Sequence, residues 1–263
     1  KLLVMNAKPL IFVDLDDTLF QTHRKSTPTP LHKIATTDKL GEPLSYMLPK
    51  QQIFVNWLLE SAEVIPVTAR SVEALQRVHI PFQHGAVCSH GGTILGANKQ
   101  VDQEWLVLQQ QATAELEHLL NDLPNALLDY AKPFGSIRTW TVEENGGKIY
   151  TVAKQNDPEP LFLSKIIANL PAEVLEHCYV HINGNNLAII PKFVSKQKAV
   201  EFFINKYDPE RERAILGWGD SLSDAGFLAC CDWFGMPKNS QLAKFLAQSL
   251  MQDHNAKGYL GHG

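Results

Sequence analysis

Residues 10–13, Leu-Ile-Phe-Val, form an unbroken apolar run that stops at Asp14-Leu15-Asp16-Asp17. Such a run reads as a strand buried on both faces of a parallel sheet. The pattern recurs at 64–67, ending in Thr68-Ala69-Arg70-Ser71, at 86–88, and at 213–218, ending in Gly219-Asp220-Ser221. Other stretches carry the helical period. Pro49 opens a helix to about residue 61, with Ile53, Phe54, Trp57 and Leu58 on one face. A short helix covers about 72–78, and another runs from Ser195 to about 207. A further helix follows Asp220, and a last one spans about 240–250. Residues 105–123 place Trp105, Leu108, Ala112, Leu116, Leu119, Leu120 and Leu123 at amphipathic helical spacing. Alternating strands at 136–142 and 148–154 flank the Asn145-Gly146-Gly147 turn. Asp157 and Pro158 start a helix through residue 170, and strands at 177–183 and 186–190 flank Asn183-Gly184-Asn185. Residues 21–48 are polar and broken by Pro28, Pro30 and Pro43. They exceed the usual connection by about twofold and read as a functional flap beside the acidic strand or a mobile insertion.

The order of elements predicts an α/β protein. Its Rossmann-like parallel-sheet core comes from residues 1–95 and 192–263, with an α+β cap domain inserted over 96–191. Within the cap, the repeated helix-strand-strand order predicts one antiparallel sheet with helices on one face. Composition agrees with a globular chain: 263 residues, 44% hydrophobic and 20% charged. A net charge of −4 without a basic stripe weighs against nucleic acid as a partner. No apolar stretch approaches the ~18 residues of a membrane span. Residues 1–9 are too short and too polar for a signal peptide, and the missing initiator Met reads as trimming. Cys88, Cys178, Cys230 and Cys231 match neither zinc nor disulfide spacing, and read as small buried hydrophobes in a reducing cytoplasm. Trp105, Trp140 and Trp233 read as core residues, and histidines other than His90 as surface or core.

The chemistry gathers at strand ends, where open α/β sheets place their sites. Asp14 and Asp16 share one side of the extended chain. Two carboxylates ~4 Å apart repel by about 4 kcal/mol at an effective dielectric near 20, which calls for a cation or a proton-transfer task. Asp220 ends the last buried strand, with Asp224 one turn on; Thr68 and Lys196 stand at related positions. An oxygen-rich pocket with few imidazoles or thiols suits magnesium. A cation, a lysine and a hydroxyl around a carboxylate are the requirements of phosphoryl transfer, with the carboxylate as nucleophile.

These residues resemble the haloacid dehalogenase superfamily of phosphatases. Asp14-Leu15-Asp16-Asp17-Thr18 matches its first motif, Ile65-Pro66-Val67-Thr68 its second, Lys196 before a helix its third, and Gly219-Asp220-Ser221-Leu222-Ser223-Asp224 its fourth. Thr68-Ala69-Arg70 looks like the Thr-Gly-Arg of the sugar-phosphatase branches. A cap between the second and third motifs resembles the branch of sucrose-phosphate, trehalose-phosphate and Cof-type phosphatases and phosphomannomutases. The chain departs from Cof-type members at His90-Gly91, Ser223 and Asp17.

The resemblance implies a magnesium-dependent phosphatase for a small phosphorylated metabolite, a sugar phosphate. Asp14 is the implied nucleophile and Asp16 the proton shuttle, while Thr68 and Lys196 bind phosphoryl oxygens. Asp14, the Asp16 carbonyl and Asp220 are the implied magnesium ligands, with Asp224 holding a metal-bound water or orienting Lys196. Lys198 competes with Lys196 for the third motif, and alignment favours Lys196. Arg70 and His90 stay open between structural and substrate-binding roles, and Asn239 is a further substrate-binding candidate. A phosphomutase or phosphotransferase, or a non-catalytic phosphate-binding module, are the alternatives. Substrate choice falls to cap residues within 100–190 and to the 21–48 insertion. Oligomeric state has no sequence signature here.

Overall fold

The computed structural model describes residues 7–23, 25, 27–157 and 160–257. The polar N-terminal stretch is therefore described only from Ala7, and Pro158 lies outside the described residues. In chain order the first elements are β1 (Leu10–Val13), β2 (Gln21–Thr22), β3 (Lys33–Thr37), β4 (Pro43–Met47), α1 (Pro49–Ser61), β5 (Glu63–Pro66), α2 (Val72–Gln76), β6 (Ala86–Cys88) and β7 (Thr93–Leu95). Then come α3 (Gln103–Ala114), α4 (Glu117–Ala131), β8 (Ile137–Glu144), β9 (Gly147–Gln155), α5 (Leu163–Ile167), α6 (Ala172–His177), β10 (Cys178–Asn183) and β11 (Asn186–Pro191). The chain closes with α7 (Lys196–Tyr207), β12 (Ile215–Trp218), α8 (Ala225–Leu228), β13 (Trp233–Gly235) and α9 (Gln241–Lys257).

The core sheet has the order β13-β12-β1-β5 and is parallel throughout. All four residues of β1 are buried, as its apolar run predicts. Leu10 and Phe12 pack on one face with Val200 and Phe203 of α7. Ile11 and Val13 pack on the other with Val55 and Leu58 of α1. Alternation along β1 thus feeds two separate cores, and helices cover both faces of the sheet. Val13 pairs with both Pro66 and Trp218, so β1, β5 and β12 end at one level. That alignment brings their C-terminal residues together.

A second, antiparallel sheet, β10-β11-β9-β8, forms the inserted α+β cap. Leu119, Leu120, Leu123 and Leu127 of α4 pack with Ile137, Ala153, Leu187 and Ile189 of that sheet. Glu144 fastens the β8–β9 hairpin to the core: its carboxylate accepts the Val72 amide at 2.7 Å and the Thr93 hydroxyl at 2.6 Å. Among the described residues no helix is long and apolar enough to cross a membrane.

Several expectations are corrected. Within 21–48, β2, β4 and β3 form a small antiparallel sheet, strands that the sequence pattern did not predict. Helix α1 keeps its predicted bounds, and of its predicted face Leu58 is buried and Phe54 packs on the same core, while the inward face is shifted to include Val55. Val55 and Leu58 are buried, whereas Ile53 is 72% and Trp57 50% exposed. The stretch 105–123 is broken at Glu115-Leu116. Helix α3 buries Trp105, Gln109 and Thr113, four residues apart, and the leucine stripe belongs to α4. In place of one helix ending at residue 170 there is only the short α5, and α6 follows beyond that point. Trp105 is buried as expected, but Trp140 is 43% and Trp233 64% exposed. Cys88 and Cys178 are buried, Cys230 and Cys231 half-buried, and all four are free thiols.

Candidate active site

Asp14 follows β1 directly, and its amide donates to the Trp218 carbonyl at 2.8 Å, which fixes the acid at the sheet edge. Its side chain is buried. Oδ1 accepts Lys196 Nζ at 2.7 Å, and Oδ2 accepts the Thr18 hydroxyl at 3.2 Å. Lys196 opens α7 and also reaches Asp224 Oδ1 at 2.6 Å. The other oxygen of Asp224 accepts the Asp220 and Ser221 amides at 3.1 and 3.0 Å and the Ser221 hydroxyl at 2.9 Å. The lysine is therefore clamped between two carboxylates, one of which is itself fixed by three donors. Lys198 lies elsewhere, 5.2 Å above the Phe193 ring.

One oxygen each from Asp14, Asp220 and Asp224 lie within 4.8 Å of one another. Burial pushes the Asp14 carboxyl up, and the Asp224 and Asp16 charges add to the shift while Lys196 opposes it. Burial, then the charges of Asp224 and Asp17, push Asp220 up to about 7. Asp224 goes the other way: burial would raise it, but Lys196 and the Ser221 donors hold it below the usual carboxylate range. Lys196 is held above its ordinary value because the two carboxylates outweigh burial. Crowded, partly neutralised carboxylates with only oxygen donors fit a hard divalent cation such as Mg2+. Asp14 and Asp220 have more capacity to hold it than Asp224: each Asp14 oxygen accepts one donor, whereas Asp224 Oδ2 already accepts three. Protons compete with the cation for these raised carboxyls. Isothermal titration should therefore show Mg2+ affinity rising with pH through about 7, the value to which Asp220 is raised.

Thr68 is buried beyond β5, and its hydroxyl oxygen accepts the Arg70 amide at 3.0 Å. Arg70 grips the Asp16 carboxylate with two bonds, Nε to Oδ2 at 2.7 Å and Nη2 to Oδ1 at 2.8 Å. The Asp16 side chain thus sits apart from the three-carboxylate group, held by an arginine that also lies 5.4 Å over the Phe20 ring. Asp17 adopts φ +65° and pairs with Lys25.

Ser89, His90 and Gly91 form a left-handed run with φ of 51°, 57° and 99°. Two amides hold it to the Thr68–Arg70 turn, His90 to the Thr68 carbonyl at 3.1 Å and Ser89 to the Arg70 carbonyl at 2.8 Å. His90 is buried, and its ring lies 5.1 Å from Tyr150 and 5.6 Å from His181. Burial, then Lys196 and His181, keep its imidazole neutral by lowering its pKa well below the usual range. A Cβ on Gly91 would stand 2.2 Å from the Ser195 carbonyl oxygen. Gly91→Ala should thus shift the Ser195–Lys196 backbone, lowering both thermal stability and turnover. A melting curve and a steady-state assay check this.

Three cavities of about 730, 540 and 390 Å³ converge here, and His181 lines all three. The largest includes Asp220 and Asn239, the second His90 and Trp140, the third His90 and Lys196. His181 is thus neither plain surface nor core. It sits on β10 two residues from Tyr179, which shares the smallest cavity with it. That period-two spacing was the available sequence signal.

No family model and no curated protein matches the sequence. Solved structures do. Sucrose-phosphatase from Synechocystis, in complex with sucrose and phosphate, aligns over 94% of this chain and 98% of its own, with a TM-score of 0.54 and 14% identity. The C-terminal domain of trehalose-6-phosphate phosphatase from C. albicans aligns over 95% of this chain and 79% of its own, with a TM-score of 0.57 and 14% identity. This is the haloacid dehalogenase fold with an inserted cap. In the haloacid dehalogenase fold of this chain, the parallel core supplies Asp14, Thr68, Lys196, Asp220 and Asp224, and the cap supplies His181 and Tyr150.

Proposed function

We propose that this chain is a Mg2+-dependent phosphoric monoester hydrolase acting on a small phosphorylated metabolite, a sugar phosphate, through an aspartyl-phosphate on Asp14. The observation that carries the reading is the Asp14–Lys196–Asp224 arrangement at the shared end of β1 and β12, beside Asp220. The fold shared with the sucrose- and trehalose-6-phosphate phosphatases supports a sugar phosphate as the substrate class.

An Asp14 carboxylate oxygen attacks phosphorus, and the bond from phosphorus to the leaving oxygen breaks. Asp16 gives its proton to that oxygen, for which its carboxyl must leave Arg70. Water then attacks the aspartyl-phosphate, its proton passes to Asp16, and the bond from phosphorus to Asp14 breaks. Lys196 and Thr68 bind phosphoryl oxygens. Asp14 and Asp220 would hold a magnesium ion, which would supply charge neutralisation on the transferring group.

A panel of phosphorylated metabolites assayed with Mg2+ tests the reading. Release of free phosphate from hexose phosphates supports it. An isomeric sugar phosphate as product replaces hydrolase by mutase, and no turnover of any member with Mg2+ present overturns enzymatic phosphoryl transfer.

A further inference from the structure

We propose that the substrate carries a second anionic group, a carboxylate or a second phosphate, seated in the largest of the three cavities, between the first turns of α1 and α9 and β10 of the cap. This deepens the phosphatase reading and rests on it. The cavity of about 730 Å³ runs from Thr18 and Asp220 at its inner end to Lys50 and Lys238 at its rim. Lys25, on the same wall, is neutralised by Asp17. Among the described residues neither Lys50 nor Lys238 has an acidic partner.

The rest of the lining has the same polarity. Gln51 and Gln241 each spend their side-chain oxygen on a backbone amide, of Leu48 and Leu222 respectively, at 2.9 Å. Each is thereby oriented with its NH2 group left to donate. The first turns of α1 and α9 also begin at this wall, where helix dipoles favour negative charge. Phe54 and Trp218, edge to face at 5.7 Å, supply an apolar surface that strengthens charge interactions next to it. Asp220 repels an anion at the inner end, which places the second anionic group at the outer end with the lysines. The hydroxyls of a neutral alcohol can accept from the Gln51 and Gln241 amides but leave the charges of Lys50 and Lys238 without a counter-charge.

Two matched pairs read this out, each differing by one anionic group: 3-phosphoglycerate against glycerol 3-phosphate, and fructose 1,6-bisphosphate against fructose 6-phosphate. Binding is measured calorimetrically with Mg2+ on the full chain carrying Asp14→Asn, which removes turnover. The doubly anionic member should bind at least tenfold more tightly in one pair, the first pair marking a carboxylate and the second a phosphate. Adding Lys50→Ala and Lys238→Ala should reduce that ratio to below about twofold. Equal or undetectable binding within both pairs, or a preference that survives loss of both lysines, overturns the proposal. Turnover of the phosphorylated-metabolite panel by the unaltered chain with Mg2+ is measured separately: its absence defeats the phosphatase reading, while the binding ratios still judge the cavity.

Discussion

Asp14→Asn should abolish turnover of an aryl phosphate and leave the protein folded. The loss should be at least about 10⁴-fold in kcat, because an amide cannot form the acyl-phosphate and no neighbour can replace it. Asp16 is the nearest acid in sequence, but Arg70 holds it through both oxygens. Asp224 has one oxygen on Lys196 and the other on three donors. Folding should survive, because Asn is nearly isosteric and Lys196 keeps Asp224 as its partner. The change also removes a carboxyl whose ionisation is opposed by burial. The melting temperature should therefore not fall by more than about 2–4 °C, equivalent to ~1 kcal/mol. Retained turnover in a metal-replete assay sinks Asp14 as nucleophile.

Lys196→Met carries the largest expected cost in stability. Its ammonium is the shared partner of two buried carboxylates, at 2.7 and 2.6 Å. Removing one member of a buried ionic group costs about 3–5 kcal/mol, because the remaining charges lose their compensation. Differential scanning calorimetry should show a melting temperature lower by on the order of 10 °C. Mg2+ should restore more stability to this variant than to the unaltered protein, since a cation beside Asp14 and Asp220 offsets part of the missing charge. Lys198→Met supplies the contrast. Its charge sits above one aromatic ring, a contact of about 0.5–1 kcal/mol. Equal losses from the two substitutions would refute a special role for Lys196.

The parts of the fold legible in the sequence are those where local pattern and tertiary demand agree. Leu10 to Val13 are apolar on both sides because helices cover both faces of the sheet, and the acids that follow stand at a strand end where a site can form. The α1 face was only partly legible: Leu58 and Phe54 do pack inward, but Ile53 and Trp57, at the equally helical spacing of four, face out. Which stripe turns inward is set by β1 and β5 beneath it. The strands at 21–48 were hidden because they are two to five residues long and carry polar side chains. At the site, motif spacing singled out Asp14, Thr68, Lys196, Asp220 and Asp224, and the fold places them at neighbouring strand ends and the start of α7. The partner of Arg70 was not legible: Asp16 lies 54 positions away and becomes its neighbour only when β1 and β5 pair. His181 was missed because its only signal, the two-residue spacing from Tyr179, marks a shared strand face without saying what that face meets.

The register of the core sheet also bears on the order in which the chain can fold. β1 lies between β5 and β12, and Asp14 meets Lys196 across a separation of 182 residues. During synthesis, β1 and β5 can pair long before α7 and β12 leave the ribosome, but Asp14 then has no cation beside it. Its charge opposes burial until the last quarter of the chain, from Lys196 on, arrives. The sheet must therefore close late, with the catalytic end as the final region to become dry. Such long-range closure is slow. A chain stopped before residue 196 should leave β1 exposed along one edge, open to pairing with other chains.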